Sequence, residues 1–361
     1  MKSNMPVKVS IITVTYNAVD TIEQTIKSVL EQSYKNIEYI VVDGLSTDGT
    51  YEKICKYKNK ISKIIHERDD GLYDAMNKGI AFATGQVIGI INGDDWLELD
   101  AVANIVDALD DSTDVIYGNL NVWGYGGKCE IGDIVKIDDI WYRMIQHPAV
   151  FVTKETYNIH GAFNTAYSIA ADYDLMLRFY NERVRFKYLD KILANYRVGG
   201  TSYQNGIVSA REVEKIWKKY GDKCPDKARA LEAIKANYNS IKIAKACAQS
   251  CEKFKAKLDF YFDKNLNDII IFGAGVWGKR CVAKLRECNV SCNYLVDNSL
   301  EKQGTIIDNI EVITPKQLYD MKCNVIVALN IGCDEVCKQL EKIENPNLKW
   351  IRMSDLYEEG E

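Results

Sequence analysis

The chain has 361 residues, 47% hydrophobic and 27% charged, with a net charge of −5. At about 150 residues per domain this length implies two or three domains, and the composition excludes a disordered or fibrous protein. A mildly acidic chain does not suit a general nucleic-acid binder, and no apolar run approaches the roughly 18 residues needed to span a bilayer.

The first third alternates strands and helices. Val9–Thr15 is a continuous, largely β-branched run, as a buried parallel strand requires. Asp20 can cap a helix whose apolar face is Ile22, Ile26, Val29 and Leu30. Residues 37–42 form the next strand, ending at Asp43-Gly44, and Ser46, Thr47 and Asp48 open a second helix. Residues 61–65 read as strand, 72–82 as helix, and 87–91 as a strand stopping at Asn92-Gly93-Asp94-Asp95. This order predicts a parallel sheet with helices on both faces and a ligand beyond the carboxyl ends of the strands. Thr15-Tyr16-Asn17, Asp43 and 92–95 all fall at such ends.

Residues 211–265 hold 14 Lys and Arg against 8 Asp and Glu, a surplus of +6 set against −11 over the rest of the chain. They read as a basic helical connector: 211–220 is helical, Gly221 breaks it, and Pro225 starts a helix running to about Phe262. Its lysines alternate with Trp217, Phe254, Leu258, Phe260, Tyr261 and Phe262. That pattern suits a solvated face over an apolar stripe, or peripheral contact with an anionic membrane.

The α/β pattern restarts at 268–272. Gly273-Ala274-Gly275-Val276-Trp277-Gly278 follows that strand and opens a helix, and Asp297 ends the next strand, where a ribose-binding acid belongs. The expected division is therefore 1–210, 211–265 and 266–361. The only Tyr-x-x-x-Lys spacing, Tyr238 to Lys242, precedes the glycines, which argues against short-chain reductase chemistry. The last domain reads as a Rossmann-like fold with or without a nucleotide, NAD(P) being one option. The eleven cysteines, in a chain that begins Met1-Lys2-Ser3-Asn4 without a signal-peptide pattern, read as reduced thiols of a cytoplasmic protein. Cys247/Cys251, Cys288/Cys292 and Cys333/Cys337 share helix-like spacing, but no nearby His completes a metal set.

Two acidic clusters bear on chemistry. Asp94-Asp95 at a strand end suits a hard divalent cation, or simply a cap at the turn. Asp172-Tyr173-Asp174, with Arg178 four residues after Asp174, reads as a capped helix start with an ion pair, or as a carboxylate placed for general-base work.

Four segments together resemble the family 2 glycosyltransferases of GT-A fold. They are Val9-Ser10-Ile11-Ile12-Thr13-Val14-Thr15-Tyr16-Asn17, Val41-Val42-Asp43-Gly44-Leu45-Ser46-Thr47-Asp48-Gly49-Thr50, Glu67-Arg68-Asp69-Asp70-Gly71-Leu72-Tyr73-Asp74-Ala75-Met76-Asn77-Lys78-Gly79, and Asn92-Gly93-Asp94-Asp95. The third is similar to a subgroup that builds bacterial surface polysaccharides. The likeness runs more weakly through 172–178 to Gly199-Gly200-Thr201-Ser202.

The resemblance implies that Thr15, Tyr16 and Asn17 line a nucleotide pocket and that Asp43 bonds the base, usually uracil. Asp70 and Lys78 then lie near ribose and phosphates. Asp94, with Asp95, takes the place of the metal-binding Asp-x-Asp for Mg²⁺ or Mn²⁺, and Asn92, at the first position of that motif, lines the nucleotide-sugar site with Asp94. Asp172 is the catalytic base, and His147 is an acceptor-side residue or a structural one beside a turn. The sequence departs at Asn92, which removes one charge, and at Ala171, where the pattern has Glu before Asp. The implied reaction is inverting transfer from a nucleotide-diphosphate sugar to a glycan or polyprenyl-diphosphate-linked acceptor. A nucleotidyltransferase, or a non-enzymatic nucleotide-sugar scaffold, stands as the alternative.

Overall fold

The computed structural model describes residues 6–124, 129–132, 134–200 and 205–357. The first four residues, and Thr201 and Ser202 of the expected turn, lie outside them. The chain divides into two compact units, Met1–Lys227 and Ala228–Glu361.

In the first unit β1 (Val9–Thr15) is buried along its whole length. Two of its polar residues are satisfied inside the core: Ser10 Oγ donates to Glu38 at 2.6 Å, and the Thr13 and Tyr39 hydroxyls lie 3.0 Å apart. α1 (Ile22–Leu30) buries Ile22, Ile26 and Val29; its N-cap is Thr21 rather than the expected Asp20. β2 (Ile37–Asp43), α2 (Thr50–Cys55), β3 (Lys63–His66), α3 (Leu72–Phe82) and β4 (Val87–Asn92) follow. β1 lies between β2 and β4, parallel to both, and β3 extends the same parallel set beyond β2.

The expected parallel sheet ends there. Beyond β4 come β5 (Trp96–Leu97), α4 (Ala101–Ala108), β6 (Val115–Trp123), β7 (Cys129–Ile131), β8 (Val150–Thr153), α5 (Lys154–His160), α6 (Ala171–Asn181), β9 (Phe186–Arg197) and α7 (Gly206–Tyr220). The sheet runs β3-β2-β1-β4-β8-β6-β9-β5, with β7 paired to β6. β8 is antiparallel to β4 and β6, β9 is parallel to β6, and β5 is antiparallel to β9. This mixed half escaped the sequence because β9 carries polar and charged residues through most of its length instead of an apolar run.

The second unit holds α8 (Lys227–Ala248), α9 (Cys251–Tyr261), β10 (Ile269–Phe272), α10 (Val276–Glu287), β11 (Cys292–Val296), β12 (Ile306–Ile307), β13 (Ile310–Ile313), β14 (Cys323–Val327), α11 (Cys333–Glu341) and β15 (Leu348–Arg352). Its sheet order is β12-β13-β11-β10-β14-β15, parallel except for β12.

Residues 211–265 are not a separate connector. α7 belongs to the first unit, while Phe254, Leu258 and Phe262 are buried in one core with Ile269, Ile271 and Leu285 of the second. The expected single helix to Phe262 breaks at Ser250, whose side chain accepts from the Lys253 amide and starts α9. Phe260, by contrast, is 78% exposed. No helix among the described residues is long and apolar enough to cross a membrane.

The reading of every cysteine as a free thiol is corrected at one place: Cys251 and Cys288 form a disulfide. It ties the start of α9 to the end of α10 across a sequence separation of 37 residues, with the Cα atoms 5.0 Å apart. A loop of that length corresponds to about 3–4 kcal/mol of stabilisation. Cys251→Ser should therefore lower the unfolding midpoint of the second unit, and dithiothreitol should lower that of the parent but not of the variant. Both effects are read by thermal denaturation.

Candidate active site

The parallel register sets the site. Thr15 pairs with Asp43 and Val14 with Asn92, so three strand ends finish side by side. The loops beyond them are tied together: Asn17 Oδ1 accepts from the Thr47 amide at 2.8 Å, and the Asn17 amide donates to Ser46 Oγ at 2.8 Å. Tyr16 and Leu45, on these two loops, are both exposed apolar residues at the rim. The Thr15 hydroxyl is buried with no hydrogen-bond partner.

Asp43 is fully buried, with its oxygens engaged by the Ser46 amide, the Ser46 hydroxyl and His66 Nδ1 at 2.6 Å. His66 stacks on Tyr51 with ring centroids 3.6 Å apart. A ligand arriving here meets Ser46 and His66 before the carboxylate. Sequence reasoning missed His66; its only signal was its place at the end of the third strand. Asp70 is exposed just before α3, its amide donating to Asp74 Oδ2. Lys78 is occupied by the Arg68 carbonyl at 2.6 Å, Glu67 at 3.1 Å and Asp74 at 3.2 Å. In this arrangement Lys78 fastens the loop before α3.

The acidic turn after β4 divides its labour. Asp95 is 1% exposed; Oδ1 accepts from the Arg197 amide at 2.9 Å and Oδ2 lies 3.5 Å from Asn92 Nδ2. Burial, then the neighbouring charge of Asp94, pushes its carboxyl well above the ordinary range. Asp95 thus closes the turn onto β9. Arg197 reinforces this closure, with Nε on the Asp94 carbonyl at 3.2 Å and Nη2 on Gln24 at 2.9 Å.

Asp94 differs. Burial raises its pKa, while its own amide and the charges of Arg197 and His147 act in the opposite direction. Asn92 Oδ1 is buried with no hydrogen-bond partner. These two side-chain oxygens on one turn are the chemistry a hard divalent cation takes. Among the described residues no group of three His, Cys, Asp or Glu could hold a metal alone, so a bound ion needs ligand oxygens as well.

Asp172 is the second residue of α6. Its Oδ1 accepts from the Tyr173 amide at 2.9 Å and lies 3.1 Å from the Tyr73 hydroxyl; Oδ2 lies 3.6 Å from His147 Nδ1. His147 opens a short 3-10 turn before β8, and its Nε2 is buried without a partner. Tyr196 joins the two acidic groups. Burial and the charges of Asp95, Asp94 and Asp172 together push its phenol up to about 12. His147 thus borders Asp172, and its charge is also felt at Asp94, which makes the three electrostatic neighbours supplied by the turn after β4, the turn before β8 and α6.

In the second unit Gly273, Gly275, Gly278 and Asp297 also come together. Gly273 takes φ +116°, and a Cβ at Gly278 would collide with the Gly273 carbonyl. Gly275 is the N-cap of α10. Asp297, however, accepts from the Ala274 and Ser299 amides at 2.9 Å each and from Lys302 at 3.1 Å. Burial opposes the charge, yet these bonds hold its carboxyl below the usual range. Asp297 is thus used to shape the loop.

Residues 10–128 match the family described as Glycosyl transferase family 2, and residues 265–351 match one described as C2185-like, N-terminal. An uncharacterized glycosyltransferase of Mycobacterium tuberculosis is 30% identical over 185 residues, covering 47% of this chain and 68% of the relative. The structure of TarS from S. aureus superposes with a TM-score of 0.50 at 18% identity over 71% of this chain; the chain spans about half of that protein, 48%. A 1–349 piece of TarS in complex with UDP gives a TM-score of 0.50, at 18% identity and 79% coverage of that piece. The mannosyltransferase PcManGT of Pyrobaculum calidifontis, in complex with GDP-Man and Mn²⁺, gives 0.51 at 18% identity, with 72% of this chain and 82% of that one covered. The chain belongs to glycosyl transferase family 2 and is a glycosyltransferase with the GT-A architecture.

The two aspartates of the turn should separate by stability. Asp95→Ala leaves the half-buried Arg197 amide without its acceptor and should cost about 1–3 kcal/mol in urea denaturation. Asp94→Ala removes a desolvated charge and should be neutral or stabilising.

Proposed function

We propose that the first unit takes a nucleotide-diphosphate sugar, a UDP-sugar first among candidates, and transfers the sugar with inversion to an acceptor hydroxyl. The His147–Asp172 pair, whose imidazole is felt electrostatically at Asp94, together with the buried and unpartnered Thr15 hydroxyl and Asn92 Oδ1 at the adjacent strand ends, carries this reading. The nucleotide lies along the ends of β1 and β2, against Thr15, Tyr16, Asn17 and the Ser46–His66 side of Asp43. Asp70 borders the ribose and phosphates, with Lys78 behind it.

Asp94 and Asn92 would hold Mg²⁺ or Mn²⁺, which supplies charge neutralisation on the departing diphosphate. Asp95 supports them from the fold. Asp172 takes the proton from the acceptor hydroxyl as that oxygen attacks C1, through the oxygen facing His147; its other oxygen is held by Tyr173 and Tyr73. His147 lines the acceptor side. A single displacement on the open face inverts the anomeric centre.

A glycan or polyprenyl-diphosphate-linked acceptor in surface-polysaccharide synthesis fits the resemblance of the Gly-Leu-Tyr-Asp-Ala-Met-Asn-Lys-Gly segment. Peripheral membrane contact would use the lysine-rich α9 with its exposed Phe260. For the second unit the reading is a Rossmann-like domain that binds a nucleotide or serves in docking.

The deciding experiment measures UDP or GDP release from a panel of UDP- and GDP-sugars with Mn²⁺, alongside donor-induced thermal shifts, with NAD(P) added to the panel for the second unit. Turnover of at least one sugar is expected; none at all would sink the donor assignment. Asp172→Asn should lose turnover by about 100-fold or more while keeping the donor-induced shift. Asp94→Ala should lose the Mn²⁺-dependent part of the activity, and a variant equal to the parent in EDTA contradicts the cation site. Because burial raises the pKa of Asp94, protons compete there with the cation, so Mn²⁺ affinity should weaken as pH falls through that raised value. An unchanged affinity would exclude Asp94 as ligand.

A further inference from the structure

Asp172 is only as well aimed as the first turn of α6, and that turn does not hold itself. The N-cap is Ala170, which has no side chain able to accept from the helix amides. The missing acceptor comes from another helix. Glu212 of α7, 7% exposed, accepts from the Ser168 amide at 2.7 Å, the Ser168 hydroxyl at 2.8 Å, the Ile169 amide at 2.9 Å and the Ala170 amide at 2.9 Å. Its negative charge sits at the positive end of the helix dipole, where it is favourable.

α7 grips α6 again just past Asp172. Lys219 Nζ at 3.1 Å and the Tyr220 hydroxyl at 3.3 Å both meet Asp174 Oδ1, on a residue 1% exposed. The two clasps bracket Asp172 in sequence. A third connection runs through Ile169: its amide is held by Glu212, and its carbonyl accepts from the Tyr73 hydroxyl at 2.6 Å. The same hydroxyl lies 3.1 Å from Asp172 Oδ1. One residue thus links the Glu212 carboxylate to the group that borders Asp172.

We infer that Glu212 is a positioning residue for glycosyl transfer: by fixing 168–170 it fixes the Tyr73 hydroxyl and the direction of the Asp172 carboxylate. The inference rests on Asp172 being the base. Glu212 sets the aim and touches no substrate. Without it, three amides before and at the start of α6 lose their acceptor, and the segment must shift to find water or other partners. A shift of about 1 Å at a reacting group costs on the order of 100-fold in rate. The strand ends where the nucleotide binds are held by other bonds, so donor binding is spared.

The test uses the full chain and the nucleotide sugar that the parent hydrolyses fastest, with UDP or GDP release as readout. Glu212→Ala should lower kcat by about 100-fold and Glu212→Gln, which keeps one accepting oxygen, by about tenfold. Donor KM and donor-induced thermal shift should stay within about twofold of the parent in both. A parental kcat, or a donor KM that rises as far as kcat falls, overturns the inference, because the latter is what general loosening of the fold would give. If neither Glu212 variant folds, Ser168→Ala, which removes a single bond to Glu212, decides: lowered kcat at unchanged KM supports the positioning role and parental kcat ends it. Asp172→Asn in the same assay separates the two levels. If it turns over at the parental rate, the base assignment and the inference both fall. If it is inactive while the Glu212 variants are unimpaired, only the inference falls.

Discussion

β1 has strands on both sides and helices over both faces, so its backbone and the polar side chains along its middle must be satisfied within the protein, and only Thr15, at its carboxyl end, keeps a buried hydroxyl without a partner. A strand so enclosed tolerates one register with each neighbour, since a one-residue slip would exchange its two faces and strand Ser10 and Thr13 without Glu38 and Tyr39. That register makes Thr15, Asp43 and Asn92 finish together. The chemistry at this edge is a by-product of core packing. Residues far apart in sequence are adjacent because a buried parallel sheet leaves them no other arrangement.

The second half of the sheet closes the site from the other direction. The short β5 pairs with the end of β9, which brings the Arg197 amide to the Asp95 carboxylate. Placing one carboxylate nearly out of water beside another is costly, and both respond by favouring their protonated forms. Asp95 recovers part of that cost through its hydrogen bonds. Asp94 recovers much less, which leaves it the more responsive of the two to a positive charge arriving from outside. Two adjacent aspartates with one chemical identity therefore have different parts, set by which of them β9 can reach.

The parallel half of the fold was legible because its strands are continuous apolar runs that stop at polar clusters, and the strand ends could be marked from that pattern alone. The mixed half was not. β9 has Lys187, Asp190, Lys191 and Arg197 along its length, and β5 is two residues long, so neither shows a usable period. In the site, Thr15, Asp94 and Asp172 stood out by position and charge. Their supports did not: His66, Arg197 and Glu212 act through contacts 23, 102 and 42–44 residues away. Glu212 was read as one charge among many on a solvated basic stretch, yet it is buried and accepts four bonds. Charge balance along a sequence says nothing of which single carboxylate turns inward. The cysteines repeat the lesson: the disulfide joins Cys251 to Cys288, one member from each of two i,i+4 pairs, because two helix ends meet there.

The clasp between α7 and α6 bears on where the first unit can be severed. A fragment ending at residue 210, where composition first changes, would omit Glu212, Lys219 and Tyr220. It would keep the whole nine-stranded sheet and the strand ends while leaving the first turn of α6 open to solvent. Such a piece would lack the carboxylate that accepts from the 168–170 amides and the lysine and tyrosine that meet Asp174. The first compact unit keeps both clasps, since it runs past the end of α7 to Lys227.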